Sequence, residues 1–351
     1  MIPRLPGARN LGAKNVQIER REIVMSRELA AGSVTETTNP VSPRISLALP
    51  VYNGEKFIAG AIRSILSQDY RDFELIITDN ASNDKTPEIC REFAALDSRI
   101  RYFRNDRNLG AGPNYNLGFH LSTGEYFKWC SSDDLLTPNF IGACLRVLET
   151  NPQVALAYGT TQSIDQNGNE IPLVGSTMPD TRDEDPARRF RNIINRVGTC
   201  YEVFGMFRRQ QLLLSSLHRP YYGSDRALLV EMSLFGQFVH VPGIVFYNRE
   251  HPKRSINIAD KKMRALWHTA DPKATRGLEH LTLLKHLVQL AIRHRRTARL
   301  SKTLGAIFIW MMTPLQLLRY ALEIVGIVMP SVRDPLRKFG WSFFNKVRLE
   351  G

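Results

Sequence analysis

The chain has 351 residues, 43% of them apolar and 23% charged, enough for about two domains with a real core; its 19 Pro and 23 Gly fall without a period, which excludes collagen, a coiled coil and a wholly disordered chain. Four cysteines, Cys90, Cys130, Cys144 and Cys200, form neither a CxxC pair nor a cluster at zinc spacing, which excludes a disulfide scaffold and a redox motif and fits a reducing compartment. The net charge of +13 sits at one end: residues 1–256 carry 30 Lys and Arg against 28 Asp and Glu, residues 257–351 carry 17 against 6, so a near-neutral body with a basic tail is expected rather than a nucleic-acid binder.

Residues 1–42 mix Arg/Glu pairs with Gly, Ser, Thr and Pro without an apolar period and read as a flexible arm. Short apolar runs then alternate with amphipathic segments. Strands are predicted over 45–49, 73–78, 100–103 and 125–129, and helices over 55–68, 86–96 and 115–121. This βαβα order predicts an α/β fold, a mostly parallel sheet with helices on both faces. After Pro138 a helix to Glu149 leads into a strand over 154–158, and Asn167-Gly168 marks a turn. Helices over 185–195 and 225–235 and a strand over 238–247 complete a body expected to span residues 43–256. From Lys261 the pattern is almost continuously helical, a basic extension over 257–351.

The N-terminus lacks the apolar core of a signal peptide, so export is not expected. The most apolar stretch, Leu304 to Met329, is interrupted by Pro314, Arg319 and Glu323 and is expected to lie on a membrane surface rather than span it.

In an open α/β sheet, ligands bind beyond the carboxyl ends of the strands. Those ends are polar here: Pro50-Val51-Tyr52-Asn53 after the first strand, Asp79-Asn80-Ala81-Ser82-Asn83-Asp84 after the second, Ser131-Ser132-Asp133-Asp134 after the fourth, and all three should meet at one edge. No GxGxxG follows the first strand and no GxxxxGK[ST] occurs, which disfavours a dinucleotide dehydrogenase and a P-loop NTPase. A carboxylate after the second strand suits a base or ribose, and a pair after the fourth suits a divalent cation on a diphosphate. Each also has a structural reading: Asp79 and Asp84 as caps of the helix at Thr86-Pro87, Asp133-Asp134 as a turn ahead of Pro138.

The ordered set Pro50-Val51-Tyr52-Asn53, Gln68-Asp69-Tyr70, Asp79 to Thr86, Asn108-Leu109-Gly110, Gly124-Glu125-Tyr126, Asp133-Asp134 and Pro138 resembles family 2 glycosyltransferases of the GT-A fold over about residues 44–256. The resemblance implies a nucleoside diphosphate sugar donor, a divalent metal (Mg²⁺ or Mn²⁺) and inverting transfer. It implies donor contacts from Pro50, Tyr52, Asn53, Asp79, Ser82, Asn108, Gly110, Ser131, Asp134 and Arg249, and a metal site from Asp133, Asp134 and His251. The chain departs from the pattern twice: Ser131 stands where the first acid of Asp-x-Asp-Asp is usual, and Asn80 replaces the second acid after the second strand.

Inverting transfer needs a base for the acceptor hydroxyl, and the resemblance gives that role to Asp225, which otherwise reads as an acid favoured at a helix N-terminus. Arg249 and His251 follow the last strand of the body, where a cation beside an imidazole suits a leaving diphosphate; a surface role is the plain reading of His251. Trp129, Tyr201, Tyr221 and Tyr222 are candidates for stacking on sugar rings, with Trp129 expected in the core. Processive synthesis is disfavoured because Gln-x-x-Arg-Trp is missing. The expected reaction is sugar transfer to a hydroxyl of a polysaccharide or lipid-linked acceptor, by a protein of the cytoplasm held peripherally on the anionic inner face of the membrane. The alternatives are a GT-A-like binding protein without turnover and a nucleotidyltransferase, for which Asn53-Gly54-Glu55-Lys56 is a poor phosphate loop.

Overall fold

The computed structural model describes residues 42–173, 181–196, 199–258, 260–271 and 278–328. The arm expected over 1–42 falls almost wholly outside these residues, as does the basic tail from 329 onward. The first half runs β1 (Ile45–Val51), α1 (Ile58–Leu66), β2 (Phe73–Asp79), α2 (Thr86–Leu96), β3 (Ile100–Arg104), α3 (Ala111–His120), β4 (Tyr126–Trp129). The second half adds β5 (Leu135–Leu136), α4 (Phe140–Thr150), β6 (Val154–Ile164), β7 (Glu170–Ile171), α5 (Pro186–Ile194), β8 (Met206–Arg208), α6 (Arg209–Leu212), α7 (Ser224–Phe235) and β9 (Gln237–Arg249). Helices α8 (Lys261–Thr269), α9 (Glu279–Arg293), α10 (Leu300–Met311) and α11 (Pro314–Val328) follow.

The described strands form one nine-stranded sheet in the order β3-β2-β1-β4-β8-β6-β9-β5, with β7 on β6. Strands β1 to β4 pair parallel. β1 and β2 are buried at every position, the condition of a central strand covered on both faces, which explains why both are mostly apolar, with Ser46 of β1 and Glu74 of β2 bonded to each other. Along β1 the side chains alternate between two cores: Ile45, Leu47, Leu49 and Val51 pack with α1 and α4, Ala48 with Phe119 of α3 and the α5/α7 layer. Helix α1 presents Ile58, Ala61, Ile62 and Ile65 to the sheet, a stripe at helical spacing, and each fully buried Ile of this kind contributes about 1.5–3 kcal/mol.

The sheet is mixed, as the GT-A resemblance implies, and its antiparallel pairs fall in the second half: β8 inserts antiparallel between β4 and β6, and β5 pairs antiparallel with β9. Both are two or three residues long, too short for alternation to show. Helix α3 starts four residues earlier than predicted, because Gly112 and Pro113 sit in its first turn, where a missing N–H costs nothing. The turn at Asn167-Gly168 does close a hairpin onto β7, with Asp165 Oδ1 accepting from the Asn167 and Asn169 amides at 2.8 and 2.9 Å.

The basic extension shares the body's core. Leu283, Leu287, Leu290, Ala306, Ile307 and Trp310 join one cluster with Phe190, Ile194, Leu228 and Phe238, so the boundary expected at 256/257 coincides with no break in packing.

Candidate active site

Because β1, β2 and β4 are adjacent and parallel, their carboxyl ends deliver the three polar loops to one edge. Asp79 closes β2, fully buried; its Oδ1 accepts from the Ser82 amide at 2.8 Å and its Oδ2 from the Tyr102 hydroxyl at 2.7 Å. Ser82 Oγ accepts in turn from the Asn53 amide at 2.9 Å, and Asn53 Oδ1 from the Asn83 amide at 2.9 Å. The loops after β1 and β2 are thus stitched to each other, with Pro50 in β1 and Tyr52 exposed at the rim. Asp84 performs the capping work foreseen for it: Oδ1 accepts from the Thr86 amide at 3.0 Å and Oδ2 from the Glu55 amide at 3.1 Å.

Asn80, which replaces an acid of the family pattern, organises the next loop. Its Nδ2 donates to Asn108 Oδ1 at 2.8 Å, and its Oδ1 accepts from the Leu109 amide at 2.8 Å and from Asn105 Nδ2 at 3.1 Å. A carboxylate could accept but not donate, so this clamp requires the amide. The loop ends at Gly110, at φ +84°, where a Cβ would lie 2.5 Å from the His268 carbonyl oxygen of α8. Gly110→Ala is expected to lower stability by more than the ~1–2 kcal/mol of a left-handed non-glycine residue, read as a lower midpoint of urea unfolding. A wild-type midpoint would refute the close packing of α8 on this loop.

The acids after β4 are set by strand pairing that the sequence does not announce. Leu135 pairs with Tyr247, which carries Arg249 back beside Asp133 and Asp134. The Arg249 amide donates to Asp134 Oδ1 at 2.7 Å, and its Nε to the Asp133 carbonyl at 2.8 Å. Further bonds run from Nη1 to the Asp165 and Gln166 carbonyls at 3.1 and 3.3 Å. The guanidinium expected at the donor diphosphate is therefore engaged on loop carbonyls, and lies over the Phe57 ring at 5.0 Å. His251 Nε2 lies 2.9 Å from Asp133 Oδ2, and Ser131 donates to Asp133 Oδ1.

The two neighbouring acids are driven apart. Burial pushes Asp133 up, but the bonds from His251 and Ser131 outweigh it and hold the carboxyl below its ordinary value. Burial and then the Asp133 charge push Asp134 well above it, and the Arg249 amide only partly offsets them. Asp133 is the member whose charge its surroundings favour, and Asp134 the one that anchors β9. Arg254, bonded to Asn248 Oδ1 at 2.6 Å and to Glu250, adds a cation whose field reaches both acids. Sequence reading passed over it, although Glu250 and Arg254 stand at i, i+4 spacing.

Asp225 occupies the first turn of α7, after Gly223 in the left-handed conformation. Its Oδ1 accepts from the Arg226 amide at 2.8 Å, and burial pushes its pKa up. Tyr115, also passed over in the sequence, shows how the acids converge: beyond the effect of burial, Asp133, Asp134 and Asp225 all raise the pKa of its phenol. Of the aromatic candidates, Trp129 is core, its Nε1 donating to the Tyr115 carbonyl at 3.0 Å. Tyr201 is buried, Tyr221 is bonded to His286 Nδ1 at 2.7 Å, and Tyr222 stays exposed beneath Arg264. Gln68 and Asp69 are structural, holding the Thr137 and Pro138 carbonyls at 2.8 Å each.

Residues 46–212 match the profile of Glycosyl transferase family 2. An uncharacterized glycosyltransferase of Methanocaldococcus jannaschii is 34% identical over 129 residues, 36% of this chain and 44% of that protein. The chondroitin synthase of Escherichia coli is 34% identical over 129 residues, 37% of this chain and 19% of that protein. The aligned region thus spans less than half of these relatives. Residues 1–349 of S. aureus TarS superpose with a TM-score of 0.55 at 14% identity, over 82% of this chain and 81% of that one, a likeness of fold. Residues 46–212, just under half of the chain, are thus similar to glycosyl transferase family 2, and the described residues have the GT-A fold.

Proposed function

We propose that the chain transfers a sugar, with inversion, from a nucleoside diphosphate donor to a hydroxyl of a polysaccharide or glycolipid acceptor. What supports this reading is the gathering of the polar loops after β1, β2 and β4 at one edge of the sheet, with Asp133 bonded to His251, and the separate Asp225 at the start of α7, whose charge acts with those of Asp133 and Asp134 on the Tyr115 phenol. Groups whose environments push their pKa values in different directions mark a division of labour. The loops of Asn53, Ser82, Asn108 and Gly110 form the donor side. Asp225, with its pKa raised towards the operating range, takes the acceptor proton as the oxygen attacks.

Among the described residues no cluster of three or more His, Cys, Asp or Glu side chains stands ready for a metal. Mg²⁺ and Mn²⁺ sites of this kind need only one or two protein ligands, the rest coming from phosphate and water, and Asp133 with His251 fits that requirement, Asp134 being engaged with the Arg249 amide. Those two residues would hold the ion. When bound it supplies charge to the leaving diphosphate. Ser131 fixes the orientation of Asp133, and Arg254 adds positive charge beside the pair.

The test is release of free nucleoside diphosphate from a panel of sugar donors, with Mg²⁺, with Mn²⁺ and with a chelator. Sugar-dependent release is expected with metal, and its loss in Asp133→Ala. Absence of release with every donor would favour a binding protein, and pyrophosphate formation a nucleotidyltransferase. Release indifferent to chelator would remove the metal role from Asp133 and His251.

A further inference from the structure

Helix α10 is apolar on two sides, and the body covers only one; α11 buries Gln316, Tyr320 and Glu323 and leaves apolar side chains exposed. α10 turns Thr303, Ala306, Ile307 and Trp310 inward, into the cluster that contains Phe190 and Ile194 of α5. On its other side Phe308 and Ile309 are 58% and 60% exposed, and Met312, Leu317, Ile324 and Ile327 extend that face along α11. A helix apolar all round is ordinarily buried, and a contiguous exposed patch of this kind marks an interaction surface. Lys302 of α10 is paired with Asp185 at 2.7 Å, and the exposed charge at the corner before it is positive. Arg295, Arg296 and Arg299 are exposed in the corner between α9 and α10. Glu323, the one carboxylate within residues 285–328, is buried and accepts from the His280 and Leu281 amides at 2.9 and 3.1 Å.

We propose that the outer face of α10 and α11 docks on an anionic phospholipid surface, with Phe308, Ile309 and their neighbours in the interfacial layer and Arg295, Arg296 and Arg299 on the headgroups. The two helices lie on the surface rather than cross it. Among the described residues no single helix is long and apolar enough to span a membrane, and this pair bends by 73° at its break. Their inner sides are committed to the body, and inserting α11 would strip Glu323 from its amide partners at the start of α9. Helix α11 also reaches the neighbourhood of Asp225: its half-buried Arg319 feels the charges of Arg226 and Tyr222. Docking there brings the proposed base to membrane level, where a lipid-linked hydroxyl would arrive.

The test is co-sedimentation of the full chain with vesicles of phosphatidylcholine alone or mixed with phosphatidylglycerol, at low and high salt. The wild type is expected to bind the mixed vesicles, less at high salt. Phe308→Glu with Ile309→Glu, and separately Arg295→Glu with Arg296→Glu, should each weaken that binding roughly ten-fold or more at an unchanged unfolding midpoint. Four results would overturn the proposal: no binding to the mixed vesicles; binding that both variants leave intact; loss of binding only together with a lowered midpoint, which would mean that the chain itself covers this face; or a dimer in light scattering that the apolar variant breaks, which would identify a second copy as the occupant. The readout needs no turnover, so failure of the transferase reading would leave this result standing.

Discussion

Asp225→Asn is expected to lower turnover by about 10²–10⁴-fold, the usual loss when a general base is removed, while donor binding, followed as a thermal shift, stays at the wild-type level, if Asp225 is the base proposed above. The substitution is isosteric, and the amide keeps an oxygen to accept from the Arg226 amide, so the start of α7 is preserved. What disappears is the basic lone pair. Burial opposes the charge of the Asp225 carboxyl, while the amide groups at the helix N-terminus and the Arg226 guanidinium favour it. Burial prevails, and the pKa is raised. Because the base works deprotonated, wild-type kcat/KM must fall as the pH drops through a value above the ordinary carboxylate range, and that limb must be missing in the variant. Near-wild-type turnover in Asp225→Asn would leave Asp225 as a helix-terminal acid and no more.

Glu231→Ala is expected to destabilise the fold by about 3–5 kcal/mol, the size of effect seen when one partner of a buried charged network is removed. Glu231 is fully buried on α7. Its Oε1 accepts from His294 Nε2 at 2.7 Å, and its Oε2 from the Ser216 amide and hydroxyl at 2.7 and 2.6 Å. Ser216 Oγ and His286 Nε2 are 3.1 Å apart, and His286 passes the chain on to Tyr221. The network therefore ties α9 to the loop that leads into Asp225. Burial pushes the Glu231 carboxyl up, but the bonds from His294 and Ser216 outweigh it and hold its pKa below the ordinary value. A carboxyl depressed in the fold stabilises fully above its unfolded pKa, and that contribution fades as the pH falls through the folded value. Urea unfolding at neutral pH measures the loss; Glu231→Gln, which keeps one acceptor, should lose less. Equal midpoints for wild type and Glu231→Ala would show that α9 is held by apolar packing alone.

The frame of the site was legible in the chain because it depends on local signals. Runs such as Ile45–Val51 and Phe73–Asp79 are predominantly apolar and end in polar loops, so strand type, order and the edge at which Pro50, Asp79 and Asp133 gather follow from short stretches read one at a time. The placement of Trp129 in the core and the capping by Asp84 were accessible in the same way. The ordered motifs identify the family, because each places a particular side chain after a particular strand.

The division of roles within that frame was decided only by tertiary structure. Asp133 and Asp134 are consecutive and chemically identical; one is open to His251 and the other bound to the Arg249 amide because the two-residue β5 pairs with β9 across more than a hundred positions. The commitment of Arg249 to loop carbonyls, the clamp made by Asn80, the neighbourhood shared by Tyr115, Asp133 and Asp225, and the attachment of α9 and α10 to the body are likewise contacts between residues distant in sequence. Composition and periodicity report how each segment meets water, and so they determine strands, helices and their faces. Which polar atoms satisfy one another, and hence which carboxyl keeps its charge, depends on burial and strand register, which exist only once the sheet has closed.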